Sequence, residues 1–337
     1  MTVSAERRIA IIGAGMSGLI CAEALQSEGC RVVVFDKARG PGGRMSTRRV
    51  PELGEGVGFD HGAQYFTVRS PTFAEAVEHW VHEGITAPWD GDVVAIGPEG
   101  ITRSERHTVR YVGVPGMNGI CRRLARSLDV RFGVRVAPVE HDGSGWALED
   151  DQGQPLGGYD LVLCTAPAEQ TAVLLGAAAP EIARAAEGVA MQPCWAVLAS
   201  FDDRLAVHFD AAFVNRGPLS WVARTSSKPA RNSSPDRWVL HAGAEWSTAH
   251  LEADAADVSR LLLTAFHEAL DLPPRDPTWH TAHRWRFAIA DAPLDAEVLY
   301  DPTLRVGAAG DWTHGNRVEG AFLSGVALAR RVLEGTS

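Results

Sequence analysis

Ile9-Ala10-Ile11-Ile12-Gly13-Ala14-Gly15-Met16-Ser17-Gly18, followed by Arg31-Val32-Val33-Val34-Phe35-Asp36, reads as one β-α-β unit. The apolar run at 9–12 has the pattern of a parallel strand buried on both faces. The pattern predicts a helix over 16–28, ended by Gly29 in the position where a helix commonly turns left-handed. A second buried strand over 31–35 closes on Asp36, and the crossover between the strands is expected to be right-handed. The three glycines do different things. Gly13 permits the tight turn, Gly15 lets backbone approach a diphosphate, and Gly18 lets helix and strand pack closely. Unpaired amides at the helix start favour phosphate, and a carboxylate at Asp36 can accept from a ribose diol. The spacing therefore points to a dinucleotide.

NAD and FAD share that fingerprint, so other segments have to separate them. Shortly after the acidic residue comes Arg39-Gly40-Pro41-Gly42-Gly43-Arg44, a second glycine loop. Its backbone can line a diphosphate, and Arg44 can neutralise it; a plain NAD dehydrogenase has no use for such a loop. Near the C-terminus, Gly310-Asp311 and then Arg317-Val318-Glu319-Gly320-Ala321 open another helix, expected over 318–334. A helix start aimed at the N1/O2 edge of a flavin would favour negative charge there. Asp311 also has a plainer reading, as a capping or turn residue.

Working outward, 337 residues suffice for a large core and for two intertwined units. We expect a dinucleotide-binding unit from 1–70, 111–175 and 290–337, and a substrate unit from 71–110 and 176–289. Alternating segments at 195–201 and 238–242 predict antiparallel sheet in the second unit. The polar, turn-rich stretch 226–235 is expected to be a mobile loop. The formal net charge of −10 argues against nucleic acid as a partner. No apolar run approaches the roughly 20 residues of a membrane-spanning helix. Residues 1–8 run straight into strand, so no signal peptide is expected and a cytoplasmic location fits. The five cysteines include no CxxC pair; they read as buried thiols, with no metal site expected.

Together the motifs resemble the flavin amine oxidase superfamily, and within it the renalase-like branch. The likeness rests on residues 11–18, Phe35-Asp36-Lys37, Gly42-Gly43-Arg44-Met45-Ser46 and Gly62-Ala63-Gln64-Tyr65-Phe66-Thr67. It continues through 112–117, 165–167, 195–197, 283–285 and Gly310-Asp311-Trp312, and ends at 317–325. The resemblance implies an α/β fold: a Rossmann-type FAD-binding domain with a second mixed-sheet α+β substrate domain, as in p-hydroxybenzoate hydroxylase and the amine oxidases. It implies non-covalent FAD held by Gly13, Gly15, Met16, Ser17, Gly18, Asp36, Lys37, Gly43, Arg44, Gly62, Ala63, Gln64, Val136, Gly310, Asp311, Arg317, Val318, Gly320 and Ala321. It further implies an oxidase that returns the 2- and 6-dihydro isomers of NAD(P)H to NAD(P)+, with O2 reduced to hydrogen peroxide.

Departures from ordinary amine oxidases point the same way. Those enzymes place a lysine beside the flavin, whereas the two lysines here, Lys37 and Lys228, fall on the ribose strand and in a polar loop. No cysteine follows Cys194 to tether a flavin, and four tyrosines leave little for a two-tyrosine amine cage. A dihydropyridine gains aromaticity as it gives up hydride, so no general base is demanded. A flat apolar slot with a few polar anchors suffices. Its candidate residues are Tyr65, Phe66, Arg69, Trp195, His241, Trp285 and Trp312. Each tryptophan also has a core reading, which is the one taken for Trp221, Trp238, Trp246 and Trp279. His241 reads equally as a satisfied buried histidine. Arg69, Arg284 and Arg317 suit a ligand's phosphates or, equally, surface ion pairs. The alternatives are an amine oxidase or desaturase on the same fold, and a non-catalytic flavoprotein.

Overall fold

The computed structural model describes residues 7–103, 108–143 and 145–335. The expectation that no leader precedes the first strand concerns residues 1–8, of which 1–6 lie outside the described residues. No helix among the described residues is long and apolar enough to cross a membrane.

Strand Arg8–Ile12 lies inside a six-stranded sheet, flanked in parallel by Arg31–Asp36 and Leu161–Cys164. Asp129–Phe132 and Val306–Ala308 extend it in parallel, and Leu299–Asp301 adds one antiparallel edge. Its apolar run is two-sided because side chains alternate along a strand. Ile9 and Ile11 enter a core shared with helices Met16–Ser27 and Val318–Glu334, while Ala10 and Ile12 enter another that contains Trp146, Ala168 and Trp312. Helix Met16–Ser27 ends as expected, with Gly29 left-handed at φ 85°. The alternating pattern over 130–140 would suit continuous sheet, but there the strands are Asp129–Phe132 and Glu140–His141, with 133–139 between them outside any strand.

The second sheet has seven strands in the order Trp279–Ala290, Met191–Phe201, Asp236–Ala242, Leu219–Arg224, Ala211–Val214, Val93–Gly97 and Gly100–Arg103. It is antiparallel except where Ala211–Val214 runs parallel to Val93–Gly97, so it is the mixed sheet that the family resemblance implies. One face, with Trp195, Val197, Trp238 and Leu240, packs with Val258, Leu262 and Phe266 of helix Ala255–Ala269. The other face turns toward the segment that follows strand Gly58–Asp60 of the first half.

The loop over 226–235 corrects the sequence reading. Ser226 and Lys228 are buried, and Arg231 donates to the buried Asp60 at 2.6 Å. A polar composition suggested mobility, but here the polar groups are spent on an interior ionic cluster. All five cysteines are free thiols.

Candidate functional site

The glycine fingerprint forms a cradle. Helix Met16–Ser27 begins at Gly15 with no side-chain cap, which leaves its first amides free for a ligand. Gly18 has to be glycine, since a Cβ there would lie 2.0 Å from the Gly13 carbonyl oxygen. Met16 and Ser17 are buried, with the Ser17 hydroxyl 3.1 Å from that of Ser324. The Asp36 carboxylate accepts from the amides of Ala14 and Ala38, both at 2.7 Å, which fixes it at the end of the strand. Lys37 beside it is exposed. Val136 is buried near this end, and the neighbouring Val134 amide donates to the Asp36 carbonyl at 3.0 Å.

The second glycine loop closes over the first: the Gly42 amide donates to the Ala14 carbonyl at 2.9 Å, and Gly43 lies against Gly15. Arg44, which the sequence offered to a diphosphate, instead forms a two-pronged pair with Asp311 at 2.7 and 2.9 Å and also donates to the Ala288 carbonyl. Its charge is thereby balanced within the protein, and Asp311 is more than a turn residue. Gly310 precedes the short helix Asp311–His314. Helix Val318–Glu334 starts at Arg317 without a side-chain cap; Val318, Gly320 and Ala321 form its first turn. Uncapped helix starts and a closely approached glycine cradle are what a flavin dinucleotide needs, and the residues present fit one.

Residues 60–65 join the two sheets. Gly62 sits so close that a Cβ would meet the Arg44 carbonyl oxygen at 2.0 Å, and the Ala63 amide donates to that same oxygen at 2.9 Å. The His61 ring stacks on Trp285 at 5.0 Å and meets His283 edge-on at 4.7 Å. The His61 carbonyl accepts from the Trp285 indole at 2.9 Å and lies 3.2 Å from His241 Nε2. Burial, reinforced by His283, lowers the pKa of His61 to about 3. Burial likewise lowers that of His241 to about 4 and brings His283 down. All three imidazoles are therefore neutral at physiological pH.

Beside them Tyr65 lies 5.5 Å from Trp221 and 6.4 Å from Trp89, with the Arg110 guanidinium 5.3 Å over its ring. Among the described residues the buried His61 Nδ1, Trp89 Nε1, Trp221 Nε1 and Arg110 Nε have no hydrogen-bond partner. Such orphaned polar atoms in one neighbourhood mark a place built for a ligand or for water. At the start of the same segment, Asp60 accepts from Thr47 Oγ1 (2.7 Å), the Met117 amide (2.9 Å) and Arg231 (2.6 Å). Lys228 Nζ lies 3.6 Å from Asp60, donates to Gln64 Oε1 at 3.1 Å, and stands 5.6 Å over Trp89.

The structure thus brings Tyr65, His241 and Trp285 together beside Gly62, Ala63 and Gln64. Three other slot candidates are elsewhere. Trp195 faces the helix side of the second sheet, its indole donating to the His250 carbonyl at 3.0 Å. Trp312 is fully buried in the first half and donates to the Ala166 carbonyl. Phe66 points into the core, with its ring 5.8 Å from Tyr111 and 5.6 Å from Phe73. Arg284 is ion-paired with Glu252 at 2.8 Å, whereas Arg69 and Arg317 line a cleft together. Sequence reasoning missed His61, His283, Trp89, Trp221 and the Asp60–Lys228–Arg231 cluster. Trp221 pairs in register with His241, a signal legible only once strand order is known.

Comparison with known proteins agrees with this layout. A family model described as an NAD(P)-binding Rossmann-like domain matches residues 11–82, and one described as flavin containing amine oxidoreductase matches residues 90–333. The chain is similar to renalase of Mus musculus, 23% identical over 92% of this chain and 94% of that protein. Among solved structures it resembles a putative protoporphyrinogen oxidase from Exiguobacterium sp. 255-15, with TM-score 0.76, 14% identity, and coverage of 97% of this chain and 99% of that one. It also resembles cyclohexylamine oxidase from Brevibacterium oxydans IH-35A, with TM-score 0.75, 16% identity, and coverage of 97% and 99%. The latter two likenesses are of fold. With well over half of its length matched by one family model, the chain belongs to the flavin containing amine oxidoreductase family.

Proposed function

We propose that this protein is an FAD-dependent oxidase, holding its flavin non-covalently, that returns the 2- and 6-dihydro isomers of NAD(P)H to NAD(P)+. FAD, when bound, supplies the hydride acceptor and the route to O2, with hydrogen peroxide as product. Gly13, Gly15, Gly18, Gly43 and Asp36 would hold its adenosine and diphosphate end; Gly62 to Gln64, with the start of helix Val318–Glu334, would meet the ring end. Residues 195–337 contain no cysteine, which supports a flavin held without a thioether to the C-terminal part of the chain.

The observation that carries this reading is the neutral aromatic wall of Tyr65, Trp221 and Trp285 with His61, His241 and His283. A dihydropyridine is flat and uncharged and becomes a cation as hydride leaves. Aromatic faces favour that developing positive charge, and neutral imidazoles do not oppose it. The wall orients the ring and excludes water, and no residue has to remove a proton first. The test is anaerobic mixing with each isomer. Rapid bleaching of the visible flavin band by the 6- or 2-dihydro form, with ordinary 4-dihydro NADH far slower, is expected; bleaching by amines alone would sink the idea.

One observation favours a second reading, an amine oxidase. Lys228, expected in a polar loop, is buried and donates to Gln64 Oε1, which supports a lysine near the site. Peroxide release with a panel of amines would decide for that alternative.

A further inference from the structure

Of the three arginines that sequence alone could equally assign to phosphates or to surface ion pairs, the structure separates one from the other two. Arg284 is neutralised by Glu252. Arg69 and Arg317, by contrast, are exposed, and among the described residues neither guanidinium has a hydrogen-bond or ion-pair partner. Both line one cleft of about 270 Å³, together with Ser70, His314 and Glu319. Resting on the dihydro-NAD(P) reading above, we infer that this cleft receives the diphosphate of the dinucleotide substrate, with Arg69 and Arg317 as its anion-binding residues.

The charge balance supports an anion. The acidic group in the cleft is Glu319, and its carboxylate is already committed: it is buried and accepts from the amides of Arg69 (3.1 Å) and Ser70 (2.6 Å). The cleft therefore holds two guanidiniums, neither with a direct partner among the described residues, against one carboxylate, a net positive charge in a chain of net charge −10. The size is compatible with that assignment. Pockets that bury a drug-sized ligand begin at about 300 Å³. A cleft slightly smaller and open to solvent suits a diphosphate, while the nicotinamide and adenosine lie outside it. The flavin's own diphosphate has a separate cradle at Gly13 to Gly18 and Gly42 to Gly43, on the start of a different helix. The arginine cleft opens instead where helices Pro71–His82 and Val318–Glu334 begin, the latter next to the expected ring end of the flavin.

The test compares flavin-loaded wild type with the double variant Arg69→Ala/Arg317→Ala, using the 6-dihydro isomer as the whole dinucleotide and as its phosphate-free riboside. The expected result is a KM for the dinucleotide raised about tenfold or more, the equivalent of losing charged hydrogen bonds, with the KM for the riboside moved less than about twofold. Flavin content should stay unchanged, because Arg317→Ala removes a guanidinium and leaves in place the backbone at the start of helix Val318–Glu334, the part that would meet the flavin ring. Equal effects on both substrates, or on neither, overturn the inference; lost flavin overturns it too, by assigning the arginines to the cofactor. ADP-ribose, which carries the diphosphate without the nicotinamide, separates this inference from the functional reading. Its calorimetric affinity should fall about tenfold in the double variant even if no dihydronicotinamide proves to be a substrate, and equal affinity for both proteins refutes the cleft.

Discussion

Asp60 is a carboxylate buried beneath the candidate site, and burial on its own would raise its pKa. The charges of Lys228 and Arg231, with hydrogen bonds from Met117 and Thr47, outweigh burial and hold it at about 2. Its pKa is depressed on folding, so its contribution to stability is present above the ordinary value of 3.8 and is lost as pH falls toward 2. Lys228 behaves differently. Burial, the largest cause, lowers its pKa from 10.5 to about 8 against the pull of Asp60. Between those two values the unfolded chain binds more protons at this residue, so stability gains from it as pH rises through that window. Asp60→Asn strands two buried cations and should cost about 3–5 kcal/mol in urea unfolding at neutral pH. Lys228→Met keeps the Asp60–Arg231 pair and should cost much less, while removing this residue's alkaline gain. Equal losses from the two substitutions would show that the cluster is not organised around Asp60.

At the scale of the element, strand parity decides which tryptophan meets a ligand. His283, Ala196, His241 and Trp221 pair across four neighbouring strands and so form one row on one face. Trp195 precedes Ala196 and therefore points to the opposite face. Trp195→Phe should lose the indole bond to the His250 carbonyl and destabilise the protein by about 1–3 kcal/mol, with flavin reduction by substrate unaffected. Among the described residues the Trp221 indole N–H has no partner to lose. Trp221→Phe, which loses volume but no hydrogen bond, should therefore cost less than Trp195→Phe, yet change the KM of the dihydro isomer several-fold. A thermal melt and a substrate titration of the two variants check both halves of this contrast. The same parity explains what was legible beforehand. The fingerprint from Gly13 to Asp36 is local, so spacing alone conveyed strand, turn, helix and acid. The ionic cluster at the candidate site is not local: Asp60 meets Arg231 across 171 residues, and Lys228 meets Gln64 across 164. No window of sequence contains either pair, so the loop that supplies both cations read as polar and mobile. Trp312 misled for the opposite reason: it adjoins a cofactor motif in sequence, but its side chain turns into the core behind it.

Over the whole molecule, the two sheets share more than a seam. One core cluster holds Ile9, Ile11 and Leu19 of the first half with Ala211, Trp221 and Ala223 of the second sheet and Trp89. Helix Pro71–His82, which the proposed division assigns to the substrate unit, places Phe73 and Trp80 at 5.0 and 5.8 Å from Phe322 on the C-terminal helix. The Asp60–Arg231 pair and the Trp285–His61 bond cross the same boundary. Neither sheet can be exposed without opening that common core, so the proposed units should be coupled in stability although they interleave in sequence. Thermal unfolding should then show one midpoint shared by far-ultraviolet dichroism, tryptophan emission and release of the flavin. Stripping the flavin should lower that single midpoint, because a ligand bound to the folded state stabilises everything that unfolds with its site. Two separated transitions, with the second sheet outlasting flavin release, would mean that the shared core is too weak to couple the halves, and that the substrate wall and the flavin cradle are held in place independently.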